Sequence, residues 1–312
     1  MEKQENSGAE RTLRAHPSAS RRSFLRLAAL TMGAGAVGLT GCVTPVAPGV
    51  GSPQTVEVTR VVEVTRPAGA PAEGGKPAQK LPWPYVALDV EQTRKYGHLG
   101  FYEGECCYGA FSAIMRQLIE KVGPPYDQFP VEVMKFGAGG IAGQGTICGA
   151  LLGSAVAISL VVEPAPAKKM IRDLLNWYSQ TPFPGEVANQ YAVAHEFLVE
   201  EYKSDQALPQ SVSHSPLCHV SVSEWCKVSR FASGSKEREE RCGRLAGDVA
   251  AHTVELLNAH LAGSFAATYQ LSGGSQMCTA CHVKGENFEI GNFTQGQPGE
   301  CLICHEPHPL SR

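Results

Sequence analysis

Two short cysteine and histidine motifs lie near the C-terminus of this 312-residue chain. They read Cys278-Thr-Ala-Cys281-His282 and Cys301-Leu-Ile-Cys304-His305. In a C-x-x-C-H motif the two thiols are spaced to form thioether bonds with the vinyl groups of a haem, and the histidine is placed to become the proximal iron ligand. The sequence therefore predicts two covalently attached c-type haems in a short, loop-rich segment.

The same four cysteines also fall within the spacing of a zinc ribbon, because 19 residues separate the two C-x-x-C pairs. A zinc site would use the four thiolates and would need no histidine after each pair. Here a histidine follows both pairs, although the chain has only 10 histidines. This placement favours haem over zinc.

Each haem iron also needs a second axial ligand or keeps an open site. The candidate distal ligands are His219, His252, His308 and His214. His252 lies on the apolar stripe of a predicted helix, where a lone histidine is more often a satisfied core residue. His308 cannot reach the far face of its own haem, but it could reach the other haem or a partner subunit. Ligation by two histidines would give a lower reduction potential than ligation by histidine and methionine.

Six further cysteines lie outside the haem motifs and the N-terminal region, namely Cys106, Cys107, Cys148, Cys218, Cys226 and Cys242. Disulfides, inert buried thiols and an iron–sulfur cluster are all compatible with these residues. Cys148 precedes a predicted buried helix, and Cys107 begins another. Because helix N-termini stabilise thiolates, these positions favour a cluster or redox chemistry.

The N-terminal region has the features of an export signal. Residues 20–25 form a twin-arginine pattern, and the apolar run from Leu27 to Leu39 is too short for a permanent membrane span. The run ends at a lipobox-like sequence that predicts cleavage before Cys42 and acylation of its thiol. The alternatives are an uncleaved anchor and a fortuitous cysteine. The protein is thus expected in the periplasm or on the outer face of the cytoplasmic membrane, tethered by lipid alone.

Four regions follow from these patterns. Residues 1–42 are the signal, residues 43–82 a Pro-, Gly- and Ala-rich tether, residues 83–262 a Cys- and Gly-rich helical redox domain, and residues 263–312 the dihaem segment. The expected fold class is mainly α, with an α+β fold containing a small sheet as the alternative. The formal net charge of −3 gives no indication of nucleic-acid binding.

Hydrophobic periodicity predicts helices over residues 107–121, 151–162, 166–178, 187–203 and 235–261. The last is the longest, and Ser233 or Ser235 could cap it. Small residues in and just before the second of these helices, including Gly149 and Gly153, predict close packing on its neighbours. Residues 204–233 are predicted to be loop. The Gly-rich run that begins at Gly137 lacks the context of a nucleotide-binding loop.

Three segments resemble the redox-active family named for its C_GCAxxG_C_C cysteine pattern. They begin at Cys107-Tyr-Gly-Ala-Phe, at Gly139 and at Ser215, and they include Cys148, Cys218-His219 and Trp225-Cys226. With the two haem motifs added, residues 95–312 resemble the split-Soret cytochrome c family.

The resemblance implies a homodimer with two closely spaced bis-histidine haems per subunit and an iron–sulfur centre, here expected to be a 2Fe-2S cluster. Its preferred ligands by position are Cys107, Cys148, Cys218 and Cys226, with Cys242 as a substitute. Cys106 cannot easily share one site with the adjacent Cys107.

The predicted function is electron relay between redox partners outside the cytoplasm. The two haem motifs lie within 28 residues, so their haems should be close together. One alternative is an oxidoreductase that reduces a small substrate at an open haem or at the cluster or thiol site. A redox sensor or a structural subunit of a larger complex is a further alternative.

Overall fold

The computed structural model describes residues 79–197, 199, 202–270, 272–279, 282 and 300–306. This part of the chain is mainly α-helical with one small two-stranded sheet, which confirms the predicted fold class. The predicted export signal with Cys42, most of the predicted tether, Cys281 and His308 lie outside the described residues. None of the described helices is both long enough and apolar enough to cross a membrane.

Within the described residues the α-helices are α1 (Val90–Lys121), α2 (Gly149–Val161), α3 (Pro164–Gln180), α4 (Glu186–Ala194), α5 (Cys218–Ser229), α6 (Lys236–Leu261) and α7 (Gly273–Cys278). Short 3-10 helices cover Tyr126–Gln128, Val131–Gly137, Ile141–Gly143 and Cys301–Ile303. The strands β1 (Pro182–Phe183) and β2 (Ser211–Val212) pair antiparallel, with Pro182 opposite Val212 and Phe183 opposite Ser211.

Helix α1 is much longer than predicted and is broken in the middle. Its start is capped by Asp89, whose carboxylate accepts a hydrogen bond of 2.7 Å from the Gln92 amide. Gly104 and Glu105 leave the helical conformation, and Glu105 has a φ of 63°. The predicted helix over residues 107–121 corresponds to the second half. The first half was missed because its glycines and polar residues weaken the helical pattern.

Helices α1 and α6 form the centre of the fold and pack along much of their lengths. A Cβ atom added to Gly97 of α1 would lie only 2.8 Å from the Gly247 Cα of α6. The two helices can therefore approach each other only because both positions lack side chains. Buried apolar side chains of α2, including Leu151 and Ile158, extend the same core.

Helix α6 confirms the helix predicted at residues 235–261, and the Ser235 hydroxyl accepts a hydrogen bond of 3.2 Å from the Arg238 amide at its start. Its apolar stripe is buried, but so is much of its polar side. There Arg244 Nε lies 3.0 Å from Glu240 Oε1, and both side chains are fully buried. Because such pairs satisfy their own charges, α6 can be enclosed on most sides.

Two element predictions were wrong. The helix predicted over residues 187–203 ends at Ala194, because His195 adopts a left-handed conformation at the C-cap. Residues 204–233, predicted to be loop, contain β2 and the helix α5. Serines and prolines around α5 obscured its periodicity, whereas burial of Trp225 and its 2.7 Å hydrogen bond to the Pro209 carbonyl hold it in place.

Candidate redox site

Each C-x-x-C-H motif begins as one helical turn. The His282 amide donates to the Cys278 carbonyl over 2.9 Å, and the His305 amide donates to the Cys301 carbonyl over 3.0 Å. This spacing brings the first cysteine and the histidine of each motif to the same side of the turn. Cys304 and His305 are exposed. The turns therefore have the local form that haem attachment requires.

The two motifs are joined through Glu300. Its carboxylate accepts hydrogen bonds from the Ser272 amide at 3.0 Å and from the Ser275 hydroxyl at 2.7 Å. Burial raises the pKa of Glu300, but these hydrogen bonds outweigh burial and lower the pKa below its ordinary value. The Ser275 oxygen also accepts from the Cys301 amide at 2.9 Å. Since the thiols of Cys278 and Cys301 are in hydrogen-bonding contact, the two attachment points are close together.

The segment that leads into the first motif is fastened to α3. The amides of Thr268 and Tyr269 donate to Asp173 Oδ1 at 2.9 and 3.0 Å. Gln180 Nε2 donates to the Gln270 carbonyl at 2.8 Å. Helix α3 therefore holds the chain that leads into the first C-x-x-C-H motif against the preceding helices.

His252 of α6 lies beside this attachment. Its ring stacks on Trp177 of α3 with centroids 3.9 Å apart, and the Tyr269 ring meets it edge-on at 6.4 Å. Nδ1 lies 2.7 Å from Glu255 Oε2 and must be the donor, because a carboxylate only accepts. Nε2 is buried and has no hydrogen-bond partner among the described residues. Since metal-binding histidines commonly direct their second ring nitrogen at a carboxylate, Nε2 can bind a metal.

The other candidate distal histidines have different surroundings. His214 is exposed, and its carbonyl accepts a 2.8 Å hydrogen bond from the Glu300 amide, beside the second motif. His219 is exposed near the start of α5. His98, another histidine of the helical region, is buried with Nε2 2.9 Å from Glu240 Oε1. His98 therefore already contacts Glu240, the buried carboxylate that also pairs with Arg244, whereas the side chains of His214 and His219 are exposed to solvent.

Four thiols converge where several helices begin. Cys106 follows the break in α1, Cys148 is the N-cap of α2, Cys218 begins α5, and Cys242 lies near the start of α6. An antiparallel bridge between Ile147 and Leu217 joins the segments before α2 and α5. Cys148 and Cys218 lie on either side of this bridge, with the Cys148 amide hydrogen-bonded to the Pro216 carbonyl and the Cys218 amide hydrogen-bonded to the Thr146 carbonyl, and their thiols are within electrostatic range of each other.

Close packing of α2 on α1 makes this convergence feasible. A Cβ atom added to Gly149 would lie 2.3 Å from the Gly137 carbonyl oxygen and 3.1 Å from Cys106 Cβ. One added to Gly153 would lie 2.3 Å from the Cys107 carbonyl oxygen. No side chain can occupy these positions without displacing backbone. The predicted role of these small residues in close packing is confirmed.

Cys106 and Cys242 form a buried pair. A hydrogen bond with Cys106 outweighs burial and, together with the Arg241 guanidinium, lowers the pKa of Cys242 well below its ordinary value. The same hydrogen bond, followed by burial, raises the pKa of Cys106. Burial raises the pKa of Cys148, and it raises that of Cys218 to about 12. The helix N-termini alone therefore do not keep all these thiols ionised, and a bound cation would be needed to do so.

A buried guanidinium lies against this pair. Arg241 is 2% exposed, its Nη1 lies 3.9 Å from Cys242 Sγ, and its Nη2 donates to Ser221 Oγ at 2.8 Å. The Tyr178 hydroxyl donates to the same serine oxygen at 2.8 Å and also contacts Cys148. The Nε of Arg241 is buried with no partner among the residues that the structure describes. Thiol and phenol groups are thus its main electrostatic neighbours.

One pair of these thiols is in direct contact, and two more lie nearby. Cys106 contacts Cys242, and both lie within electrostatic range of Cys148 and Cys218. No three His, Cys, Asp or Glu side chains in the described part of the chain are close enough to hold a single metal ion. A 2Fe-2S cluster takes four thiolate ligands, two per iron. The four neighbouring thiols therefore supply the type and number of ligands that such a cluster uses.

This grouping differs from the ligand set expected from the resemblance. Burial, followed by the influence of Cys148, raises the pKa of the fully buried Cys107 to about 12. Cys226 is half-buried, and the thiol that influences it is Cys242. Cys242, expected only as a substitute, is central to the group. The direct partner of Cys242 is Cys106, which was not expected among the ligands because it is adjacent to Cys107.

Sequence reasoning missed the polar partners of the site. Glu255 had a readable signal, because it lies three residues after His252 on a predicted helix and so must share its face. Arg241 and Trp177 had no such signal, since each is brought to its partner by packing between helices. The pairing of Cys106 with Cys242 likewise depends on the crossing of α1 and α6.

Comparisons with known proteins agree with this geometry. The split-Soret cytochrome c of Desulfovibrio desulfuricans is 36% identical over 228 residues, which cover 72% of this chain and 77% of that protein. A solved structure described as showing a novel iron centre in the split-Soret cytochrome c from the same organism matches with a TM-score of 0.61 and 33% identity. The match covers 73% of this chain and 91% of that chain.

The family described as "Putative redox-active protein (C_GCAxxG_C_C)" matches residues 106–256, the part of the chain that carries the six additional thiols. These findings confirm the resemblance noted from the sequence. Identity and coverage extend over both the thiol-bearing helices and much of the rest of the chain. This protein therefore belongs to the split-Soret cytochrome c family.

Proposed function

We propose that this protein relays electrons outside the cytoplasm, with two covalently bound haems in its C-terminal segment and a 2Fe-2S centre in its helical domain. Its relatives support the general assignment, because one is named as a cytochrome c and a solved one is described with an iron centre. The observation that carries the haem proposal is the largely buried His252 ring, whose Nε2 lacks a partner among the described residues.

The residues proposed to hold the haems are Cys278, Cys281, Cys301 and Cys304 as thioether ligands, His282 and His305 as proximal iron ligands, and His252, His214, His219 and His308 as distal candidates. Bound haem supplies reversible one-electron chemistry. An iron with two histidine ligands has no position left for a substrate. Bis-histidine ligation therefore favours electron relay over reduction of a small molecule.

The surrounding side chains would keep the electron carriers at fixed positions. Glu255 orients the His252 ring through Nδ1, and Trp177 covers one face of that ring. Glu300 ties the second motif to the turn that carries the first. Rigid spacing supports electron transfer because little rearrangement accompanies each change of charge.

Four thiols are proposed to hold the iron centre, namely Cys106, Cys148, Cys218 and Cys242. Their support is the contact between Cys106 and Cys242, the proximity of Cys148 and Cys218 to that pair, the burial of three of the four thiols, and the positive charge of Arg241 beside Cys242. Cys107 and Cys226 lie next to this group and are the alternative ligands. Three of the four follow a helix break or lie at a helix start, where backbone amides favour anionic ligands.

The proposed location is the periplasm or the outer face of the cytoplasmic membrane. The twin-arginine pattern at residues 20–25 and the lipobox-like sequence before Cys42 support export and attachment by lipid alone. We also propose a homodimer that exchanges electrons with separate donor and acceptor proteins. The exposed apolar side chains of Met277 and Leu302 beside the haem motifs support a protein contact there.

Optical and EPR spectra of the exported, full-length protein would test the relay. Both haems should be low-spin, and carbon monoxide should leave the spectrum of the reduced protein unchanged. High-spin haem that binds carbon monoxide would contradict the relay and favour an oxidoreductase acting on a small substrate. Light scattering on the same sample would test the dimer, and a monomeric mass would refute it.

A further inference from the structure

Arg241 differs from two other arginines packed around helix α6. The fully buried Arg244 lies 3.0 Å from the Glu240 carboxylate, and the partly buried Arg94 lies 2.5 Å from the Asp248 carboxylate. Arg241 is nearly as buried as Arg244, but its ionisable neighbours are thiol and phenol groups. Taking a guanidinium out of water is costly unless anions replace the lost hydration. The thiol site must therefore supply negative charge around Arg241.

The hydrogen bonds of Arg241 leave its Nε donor without an acceptor among the described residues. Nη2 is used by Ser221 Oγ at 2.8 Å, and Nη1 is directed at Cys242 Sγ at 3.9 Å. Nε is buried without a partner in the described part of the chain. An orphaned buried donor beside a thiol group indicates an acceptor that is not part of the polypeptide. Inorganic sulfide of an iron–sulfur core is such an acceptor.

We propose that Arg241 donates a hydrogen bond from Nε to a sulfide of the iron centre and that its charge sets the reduction potential of that centre. This role rests on the proposed function, because it requires the centre itself. Reduction adds one electron and makes the centre more negative. A fixed positive charge and a hydrogen bond both stabilise that state, so Arg241 raises the reduction potential.

Two substitutions separate charge from hydrogen bonding. Arg241→Gln removes the charge, whereas Arg241→Lys keeps the charge but lacks an Nε donor of the same geometry. Lys236→Gln, an exposed change at the start of α6, is the matched control. Each full-length holoprotein would be titrated by EPR, with the haems of the same sample as an internal reference.

Arg241→Gln should lower the potential of the iron centre by at least the equivalent of a tenfold change in its reduction equilibrium, about 59 mV for one electron. Arg241→Lys should give a smaller decrease, and Lys236→Gln should give none. The haem potentials should change far less than that of the iron centre. With ¹⁵N-labelled arginine, pulsed EPR should detect a nitrogen coupling in the wild type that Arg241→Gln abolishes.

An unchanged iron-centre potential in Arg241→Gln would overturn the proposal, as would the absence of the nitrogen coupling in the wild type. If Arg241→Gln binds haem but no cluster iron, its potential cannot be measured, and Arg241→Lys becomes the test. Because Arg241→Lys retains the positive charge, it should bind cluster iron. Haem-loaded Arg241→Lys without cluster iron would refute the role of charge. A wild-type protein without acid-labile sulfide would instead refute the iron centre on which this role rests.

Discussion

Glu255→Gln should raise the reduction potential of one haem by roughly 20–40 mV. A hydrogen bond to a charged group is worth about 1.5–3 kcal/mol when it is buried, but the Glu255 side chain is 51% exposed, so a smaller value applies. We take the loss of this hydrogen bond to cost the oxidised haem ~0.5–1 kcal/mol more than the reduced haem. Because about 1.4 kcal/mol corresponds to 59 mV for one electron, this difference gives the expected rise in potential. Loss of the hydrogen bond costs the oxidised haem more stabilisation, because oxidised iron draws more charge from the imidazole and makes its Nδ1–H group a stronger donor.

Spectroelectrochemical titration of the haem absorption would measure this shift. Glu186→Gln is the matched control, because Glu186 is also an exposed helical carboxylate and accepts a 3.2 Å hydrogen bond from Gln190 one turn away. The control should leave both haem potentials unchanged. Identical potentials in Glu255→Gln and wild type would refute the reasoning that Glu255 acts on a haem through His252.

Three further changes test other parts of the account. His252→Ala should convert one of the two haems to a high-spin form that binds carbon monoxide, and two unchanged low-spin haems would exclude His252 as a ligand. Glu240→Gln should lower the free energy of unfolding by about 3–5 kcal/mol at pH 7, because it leaves Arg244 in a broken buried pair. Burial raises the pKa of Glu240, but the hydrogen bonds and charges of His98, Tyr102 and Arg244 together outweigh burial, and the pKa falls from 4.5 to about 2. Stabilisation by Glu240 is thus complete above about pH 4.5 and is lost as the pH falls towards 2. Urea titrations would measure the difference in unfolding free energy between the wild type and Glu240→Gln. An equal difference at about pH 4.5 and at about pH 2 would contradict this expectation. Gly153→Ala should destabilise the fold by about 1–3 kcal/mol, because its Cβ would meet the Cys107 carbonyl oxygen at 2.3 Å; an unfolding midpoint equal to that of the wild type would show that α2 can shift away.

Motifs and strong helical patterns were readable from the sequence because their geometry is local. The two C-x-x-C-H turns need only the residues within them. Helix α6 has a capping serine and a long apolar stripe, so its bounds were predicted closely. Helix α5 was missed, since Trp225 and Leu217 hold it through contacts with distant segments that no local pattern contains.

The thiol group shows where local reasoning stops. Adjacent Cys106 and Cys107 are indistinguishable by spacing, and only the packing of α1 against α6 brings Cys106 to Cys242. The buried charge of Arg241 is equally invisible, because an arginine in a helix of alternating charges normally predicts a solvated face. The sequence left the role of His252 open because of its apolar position, and the lack of a partner for its Nε2 among the described residues distinguishes it from a satisfied core residue.

The most direct test of the central claim is the stoichiometry of haem, iron and acid-labile sulfide in the exported protein, purified without truncation of its processed chain. The account predicts two covalently bound haems per chain, iron in excess of haem by two atoms, and two sulfides. Iron equal to haem with no sulfide would contradict the iron–sulfur centre. Bound zinc without haem absorption would contradict the entire assignment of the C-terminal motifs.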